Sequence, residues 1–224
     1  MSPAAAPAPR SGETLRISEI FHSLQGESTR VGLPTVFVRL TGCPLRCNWC
    51  DTSYAFSGGE TLALTDILQR VAAFGCSTVC VTGGEPLAQA NCLPLLTALC
   101  DAGYSVSLET SGALDIAPVD ARVSRIVDLK APASGEDAKN RWENLADLRP
   151  TDEIKLVLAS RADYDWAVAA CRERRLFGRC PVLFSPVWDR LAPAELAQWI
   201  LTDRLPVRMQ LQMHKLIWGN ARGR

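Results

Sequence analysis

Apolar and polar positions along this chain fall into short blocks whose period switches repeatedly between strand and helix. Leu15-Arg-Ile-Ser-Glu-Ile-Phe21 alternates imperfectly and predicts a first strand, running into a polar loop at residues 22–28. Residues 35–40 predict a second strand. After the turn signal Ser57-Gly-Gly59, Thr65 reads as the N-cap of a helix with Ile67, Leu68, Val71 and Phe74 at helical spacing. Strands follow at residues 78–81, 105–108, 123–129, 153–158 and 182–184, with a last one near 208–211. Helices are predicted at 93–102, after a capping box at Ser160 and Asp163, and at 193–201.

Strands that alternate with helices imply an α/β fold of parallel strands joined by right-handed crossovers. The segment count points to an incomplete or open (β/α) barrel, because the chain is too short for eight full units. The polar and Gly-rich clusters each follow a strand, so the site is expected at the C-terminal ends of the parallel strands. Residues 1–13, rich in Ala, Pro, Ser and Gly, are expected to be a disordered tail, and 14–224 a single domain.

Composition narrows the function classes. The chain has 224 residues, 47% of them hydrophobic, enough for one sizeable core. With 24 basic and 24 acidic residues it lacks the charge excess that nucleic acid or an anionic membrane would call for. No apolar run reaches membrane-spanning length, and the N-terminal stretch lacks a hydrophobic signal core. The expectation is a cytoplasmic protein acting on a small molecule. Its nine cysteines, an odd number, suit a reducing compartment.

Three of those cysteines stand apart. Cys43-Pro-Leu-Arg-Cys47-Asn-Trp-Cys50-Asp51 places three thiols on one polar loop after a strand. A structural zinc site takes four protein ligands, whereas three thiolates on a cubane iron–sulfur cluster leave one iron open to a small molecule. Cys76, Cys80, Cys92, Cys100, Cys171 and Cys180 read as packing residues. Thr82-Gly-Gly-Glu-Pro86 follows a strand about as a ligand loop would, its glycines allowing close approach of a ligand to the backbone; an ordinary tight turn is the alternative.

C-x3-C-x2-C with Trp49 before the last cysteine resembles the radical S-adenosylmethionine superfamily, and Gly83-Gly-Glu-Pro86 is similar to its second motif. Phe21-His-Ser-Leu-Gln-Gly-Glu27, Gly32-Leu-Pro-Thr-Val-Phe-Val-Arg39, Cys47-Asn-Trp-Cys-Asp-Thr52 and Leu211-Gln-Met-His214-Lys-Leu-Ile-Trp218-Gly resemble the 7-carboxy-7-deazaguanine synthase family within it. The resemblance runs from about Ile17 to Gly219. It implies a barrel of the radical S-adenosylmethionine type and ring contraction of 6-carboxy-5,6,7,8-tetrahydropterin with loss of ammonia, on the route to queuosine. In that family reductive cleavage of S-adenosylmethionine gives a 5′-deoxyadenosyl radical, which takes hydrogen from C6 of the pterin.

Carried over residue by residue, the resemblance makes Cys43, Cys47 and Cys50 ligands of a 4Fe-4S cluster and Thr52 a magnesium ligand, or else the cap of a turn. Leu24, Gln25, Gly26, Glu27, Arg39, Thr82 and His214 fall on substrate contacts. Arg39 suits a carboxylate through a two-pronged pair, against an outward salt bridge as the alternative. His214 is one of two histidines and reads either as a substrate contact or as structural. Trp49, Asp51, Gly84, Glu109, Asp128, Lys130 and Ser185 fall on or near cofactor contacts. Glu109 could equally serve a turn. Asp128-Leu-Lys130 and Ser185-Pro-Val-Trp188 depart from the family's usual Ser-x-Lys and Gln-Pro-x-Asp. A homodimer and an electron donor such as flavodoxin are further implications. Two other classes compete: a glycyl-radical activating enzyme and a non-catalytic iron–sulfur or zinc module.

Overall fold

The computed structural model describes residues 12–224. Most of the expected disordered tail therefore lies outside the described residues. In chain order the elements are β1 (Thr14–Leu24), β2 (Pro34–Leu40), β3 (Glu60–Ala63), α1 (Leu64–Ala72), β4 (Thr78–Gly83), α2 (Cys92–Asp101) and β5 (Ser105–Thr110). They continue with β6 (Ser124–Lys130), β7 (Glu153–Leu158), α3 (Arg161–Glu173), β8 (Val182–Pro186), α4 (Pro193–Asp203), β9 (Arg208–Met209) and α5 (Met213–Trp218). One sheet holds the strands in the order β3-β1-β2-β4-β5-β6-β7-β8-β9. Its two edges, β3 and β9, do not pair, so the barrel is open as expected.

The parallel expectation holds from β2 to β9 and fails at one edge. β1 runs antiparallel to both β2 and β3. The chain turns back at residues 25–33 and pairs Leu24 with Pro34, a hairpin-like return that needs no crossover helix. Strand β1 also extends through His22 to Leu24, where a loop was expected. Thr65 is not the N-cap of α1. The β3 ladder keeps the chain extended to Ala63, and the helix starts at Leu64, whose N–H donates to the Glu13 carbonyl. Half of the expected capping box at the start of α3 forms: Ser160 Oγ accepts from the Asp163 N–H, whereas the Asp163 carboxylate accepts from the Ala159 and Ala133 N–H groups instead of that of Ser160.

Strict alternation sorts the sheet into two faces. Val36, Val38 and Leu40, Val79 and Val81, and Val106 and Leu108 point outward into one core with α1 and α2. Val127 and Leu129, Ile154, Leu156 and Leu158, and Val182 and Phe184 point outward into a second core with α3 and α4. The intervening residues face inward, and many are polar. No α-helix joins β5 to β6 or β6 to β7. Those connections are pinned instead by Arg125, which is 1% exposed and holds Asp152 at 2.5 Å and the Ile116 carbonyl at 2.8 Å.

A strap closes the lower end of the open barrel. Beyond β1, Ser28 N–H donates to Gln210 Oε1, the Thr29 N–H and hydroxyl bond to Glu153, and Arg30 Nη1 reaches Ser105 Oγ. No helix among the described residues is long and apolar enough to cross a membrane.

Candidate active site

The inner faces of the strands and their C-terminal loops enclose a cavity of about 330 Å³. That volume suits a small organic ligand. One wall is the loop after β2: Cys43, Cys47, Cys50, Trp49, Asp51 and Thr52 all border the cavity. The three thiols are half-buried and unpaired. Burial raises the Cys43 and Cys47 thiol pKa values, and their neighbours' charges act on both, Lys130 opposing the rise and Cys50 adding to it. Among the described residues no three His, Cys, Asp or Glu are arranged to hold a single metal ion. A lone ion draws its sulfur ligands to about 2.3 Å from one point. A cubane offers each thiolate its own iron, so three separate thiols along one wall fit it.

The glycines of Gly83-Gly-Glu-Pro86 have a reason beyond close approach of a ligand. A Cβ on Gly83 would lie 2.4 Å from the Leu40 carbonyl oxygen, and one on Gly84 would lie 2.3 Å from that of Gly42. The backbone that comes close is the protein's own. Gly84 N–H donates to Leu40 O at 3.1 Å and Glu85 N–H to Gly42 O at 2.8 Å, so these amides lock the two loops together. Glu85, fully buried, then accepts from Thr110 Oγ1, Ser111 N–H and Ser111 Oγ. Cysteine loop, glycine loop and the end of β5 thus form one hydrogen-bonded unit. Gly83 and Gly84 still line the cavity.

Opposite the thiols lies the strap. Leu24, Gln25, Gly26 and Glu27 line the cavity together with Arg39, Thr82, Glu109 and His214. Glu109, inside β5 rather than after it, accepts from Gln25 Nε2 at 3.2 Å and Thr82 Oγ1 at 2.9 Å. Gly26 is where α5 docks: its carbonyl accepts from Met213 N–H, and a Cβ there would lie 2.2 Å from His214 Nδ1. His214 sits on this helix, which the sequence pattern did not reveal. Burial lowers its pKa, against the pull of Glu27. Arg39 faces inward, yet it is paired: Nε donates to Glu19 Oε1 at 2.7 Å. The alternative of an outward salt bridge is corrected: Arg39 does make a salt bridge, but on the inner face.

Asp128 and Lys130 line the cavity 3.1 Å apart. Lys155, which the sequence did not single out, pairs with Glu27 and lies 3.8 Å from Asp128. Burial disfavours both members of the Glu27–Lys155 pair; the facing charge prevails and holds the carboxyl below and the ammonium above its ordinary range. The result is an alternating row, Glu27, Lys155, Asp128, Lys130. Asp51 is held by Lys215 at 3.0 Å and by Gln212. Ser185 falls on the inner face by register but is not among the residues bordering the cavity, and its hydroxyl is buried without a partner. Tyr54 and Glu19 were also missed, although a lone Glu between Ile17 and Phe21 is a charge in an apolar strand. Burial pushes the Tyr54 phenol up to about 12, and its hydroxyl donates to Glu19 Oε1 at 2.7 Å.

Residues 37–132 match the Radical SAM superfamily. A 7-carboxy-7-deazaguanine synthase from Chlorobaculum tepidum is 50% identical over 93% of this chain and 97% of its own length. One from Koribacter versatilis is 45% identical over 91% and 97%. The chain belongs to the 7-carboxy-7-deazaguanine synthase family. Membership in the radical S-adenosylmethionine superfamily implies a 4Fe-4S cluster and S-adenosylmethionine. The fold agrees: the crystal structure of QueE from Escherichia coli superposes with a TM-score of 0.74 at 24% identity, covering 90% of this chain and 95% of that one. Streptococcus suis SuiB bound to S-adenosylmethionine shares the fold more distantly, with a TM-score of 0.52 at 13% identity over 76% of this chain and 45% of that one. Relatives of one name along nearly the whole chain weigh against both a glycyl-radical activating enzyme and a non-catalytic module.

Proposed function

We propose that this cavity converts 6-carboxy-5,6,7,8-tetrahydropterin to 7-carboxy-7-deazaguanine and ammonia, in 7-deazapurine and queuosine biosynthesis. The observation that carries the reading is the placement of an inward guanidinium, a donor–acceptor strap and three free thiols around one small cavity. Substrate and products differ by ammonia alone, so the conversion is redox-neutral overall.

A 4Fe-4S cluster with S-adenosylmethionine, when bound, supplies hydrogen-atom abstraction from an unreactive carbon. Cys43, Cys47 and Cys50 would hold the cluster. Trp49, Asp51, Gly84, Glu109, Asp128 and Lys130 would border the sulfonium cofactor, with Ser185 behind them on the inner face. Arg39 grips the substrate carboxylate, its planar fork matching the two oxygens. Gln25 reads the amide edge of the pterin through its donor and acceptor groups, and Glu27, kept ionised by Lys155, accepts from the amino group. Leu24, Gly26, Thr82 and His214 complete the substrate wall. Their enclosure of the ring keeps water and oxygen from it. Thr52, beside Cys50 with Oγ1 3.8 Å from its sulfur, offers one oxygen to a magnesium ion whose other ligands come from substrate and water.

The same reading includes an external electron donor such as flavodoxin, a homodimer and a cytoplasmic location. It is tested by anaerobic reconstitution and reduction, followed by incubation with the carboxylated pterin and mass analysis of the products. The deazapurine acid and an equal amount of ammonia are expected. Cleavage of S-adenosylmethionine with an unchanged pterin would refute the substrate assignment.

A further inference from the structure

Strand β1 carries one irregularity, and it decides which way Glu19 faces. Ile17 pairs with Leu40, but it is Glu19, not Ser18, that pairs with Arg39, so Ser18 is an extra residue in the ladder. Without it Ile17 and Glu19 would share a face. With it, Ile17 packs at 3% exposure in the outer apolar core, and Glu19 turns inward opposite Arg39. A bulge has placed a carboxylate against Arg39, which borders the cavity.

The contacts of that carboxylate are specific. Its Oε1 accepts from Arg39 Nε at 2.7 Å and from the Tyr54 hydroxyl at 2.7 Å. Arg39 is thus held from its side, and among the described residues only Nε is engaged. The two terminal nitrogens, the edge suited to a two-pronged grip, remain for a ligand. Tyr54 sits in the turn Ser53–Phe56, immediately after the cysteine loop. The Arg222 guanidinium lies 4.1 Å over its ring, which presses the phenol in place.

We propose that Glu19 is a positioning residue for substrate recognition: it fixes Arg39 by one edge so that the other meets the substrate carboxylate, with Tyr54 tying this arrangement to the cysteine loop. The role rests on the pterin reading above. Orientation of a long, flexible cation in advance lowers the cost of binding. Loss of Glu19 should therefore matter only for ligands that carry the carboxylate.

The test measures binding of two pterins to the reconstituted enzyme, 6-carboxy-5,6,7,8-tetrahydropterin and the same tetrahydropterin lacking the carboxylate, with cleavage of S-adenosylmethionine followed in parallel. Glu19→Gln should weaken the carboxylated compound about tenfold and leave the other within about twofold. Tyr54→Phe, which removes one hydroxyl from the same carboxylate, should act in the same direction but less, and carries the test if Glu19→Gln does not fold. Equal weakening of both pterins, or none, would overturn the role. Wild-type enzyme that binds neither pterin would overturn the substrate reading and this role with it, whereas wild-type binding unchanged by the variants would overturn the role of Glu19 alone.

Discussion

Gly84 approaches Gly42 so closely that a Cβ on the first would stand 2.3 Å from the carbonyl oxygen of the second and 2.8 Å from Cys43 Cβ. The glycine is required by the loop that carries the thiols. Gly84→Ala should therefore displace Cys43 and lower iron incorporation at least several-fold, while the far core of α3 and α4 keeps its fold. Iron and sulfide analysis beside circular dichroism checks this; full cluster loading in the variant would contradict it.

A second close approach lies at the other end of the cavity, between Gly26 and His214. The ring of His214 sits where an alanine methyl would go, and its backbone nitrogen is 3.0 Å away. Gly26→Ala should push α5 outward and weaken the pterin about tenfold or more, a shift of about 1.4 kcal/mol or greater. Cleavage of S-adenosylmethionine without substrate should survive. Calorimetric titration with the pterin gives the answer.

Arg125 and Asp152 form a buried pair, and removing one partner strands the other. Asp152→Ala should cost about 3–5 kcal/mol. Burial raises the Asp152 pKa, but hydrogen bonds from Arg125 and the Arg149 N–H outweigh it and hold the carboxyl below its usual range. The sign follows: its stabilisation is complete above the unfolded carboxylate value of about 4 and fades as pH falls through the folded one. The urea midpoints of wild type and variant should converge below about pH 4.

The four buried packing cysteines, Cys80, Cys92, Cys171 and Cys180, should be chemically silent. Burial pushes the Cys171 thiol up to about 12 and Cys180 up to about 11, and raises Cys80 and Cys92 as well. The thiolate is the reactive form. In cluster-free folded protein a brief alkylation pulse should label Cys43, Cys47 and Cys50 before these four, as peptide mass spectrometry would show.

The sequence revealed what is contiguous. Three thiols within eight positions, the Gly-Gly-Glu-Pro run and the N-cap at Ser160 announce themselves because each is a short local pattern. The strands after β2 were also legible, since outward apolar residues alternate regularly there. Lys155 was not, because its partner Glu27 is 128 positions away and a lysine in a strand gives no sign of facing inward. Glu19 was hidden by a bulge that breaks the period-two pattern on which strand reading depends. The approach of Gly84 to Gly42 was hidden for a related reason: a missing side chain does not say whether ligand or protein comes close to the backbone. Helix α5, six residues long, is held by tertiary contacts at Gly26 rather than by its own periodicity.

Every step proposed for this cavity depends on three thiolates leaving one iron corner free. Electron paramagnetic resonance of the reduced, anaerobically assembled protein, recorded with and without S-adenosylmethionine, tests that directly. The account predicts a cluster signal of about four irons per chain whose shape changes when the sulfonium compound is added. A signal indifferent to the compound, or metal fully ligated by side chains, would contradict it.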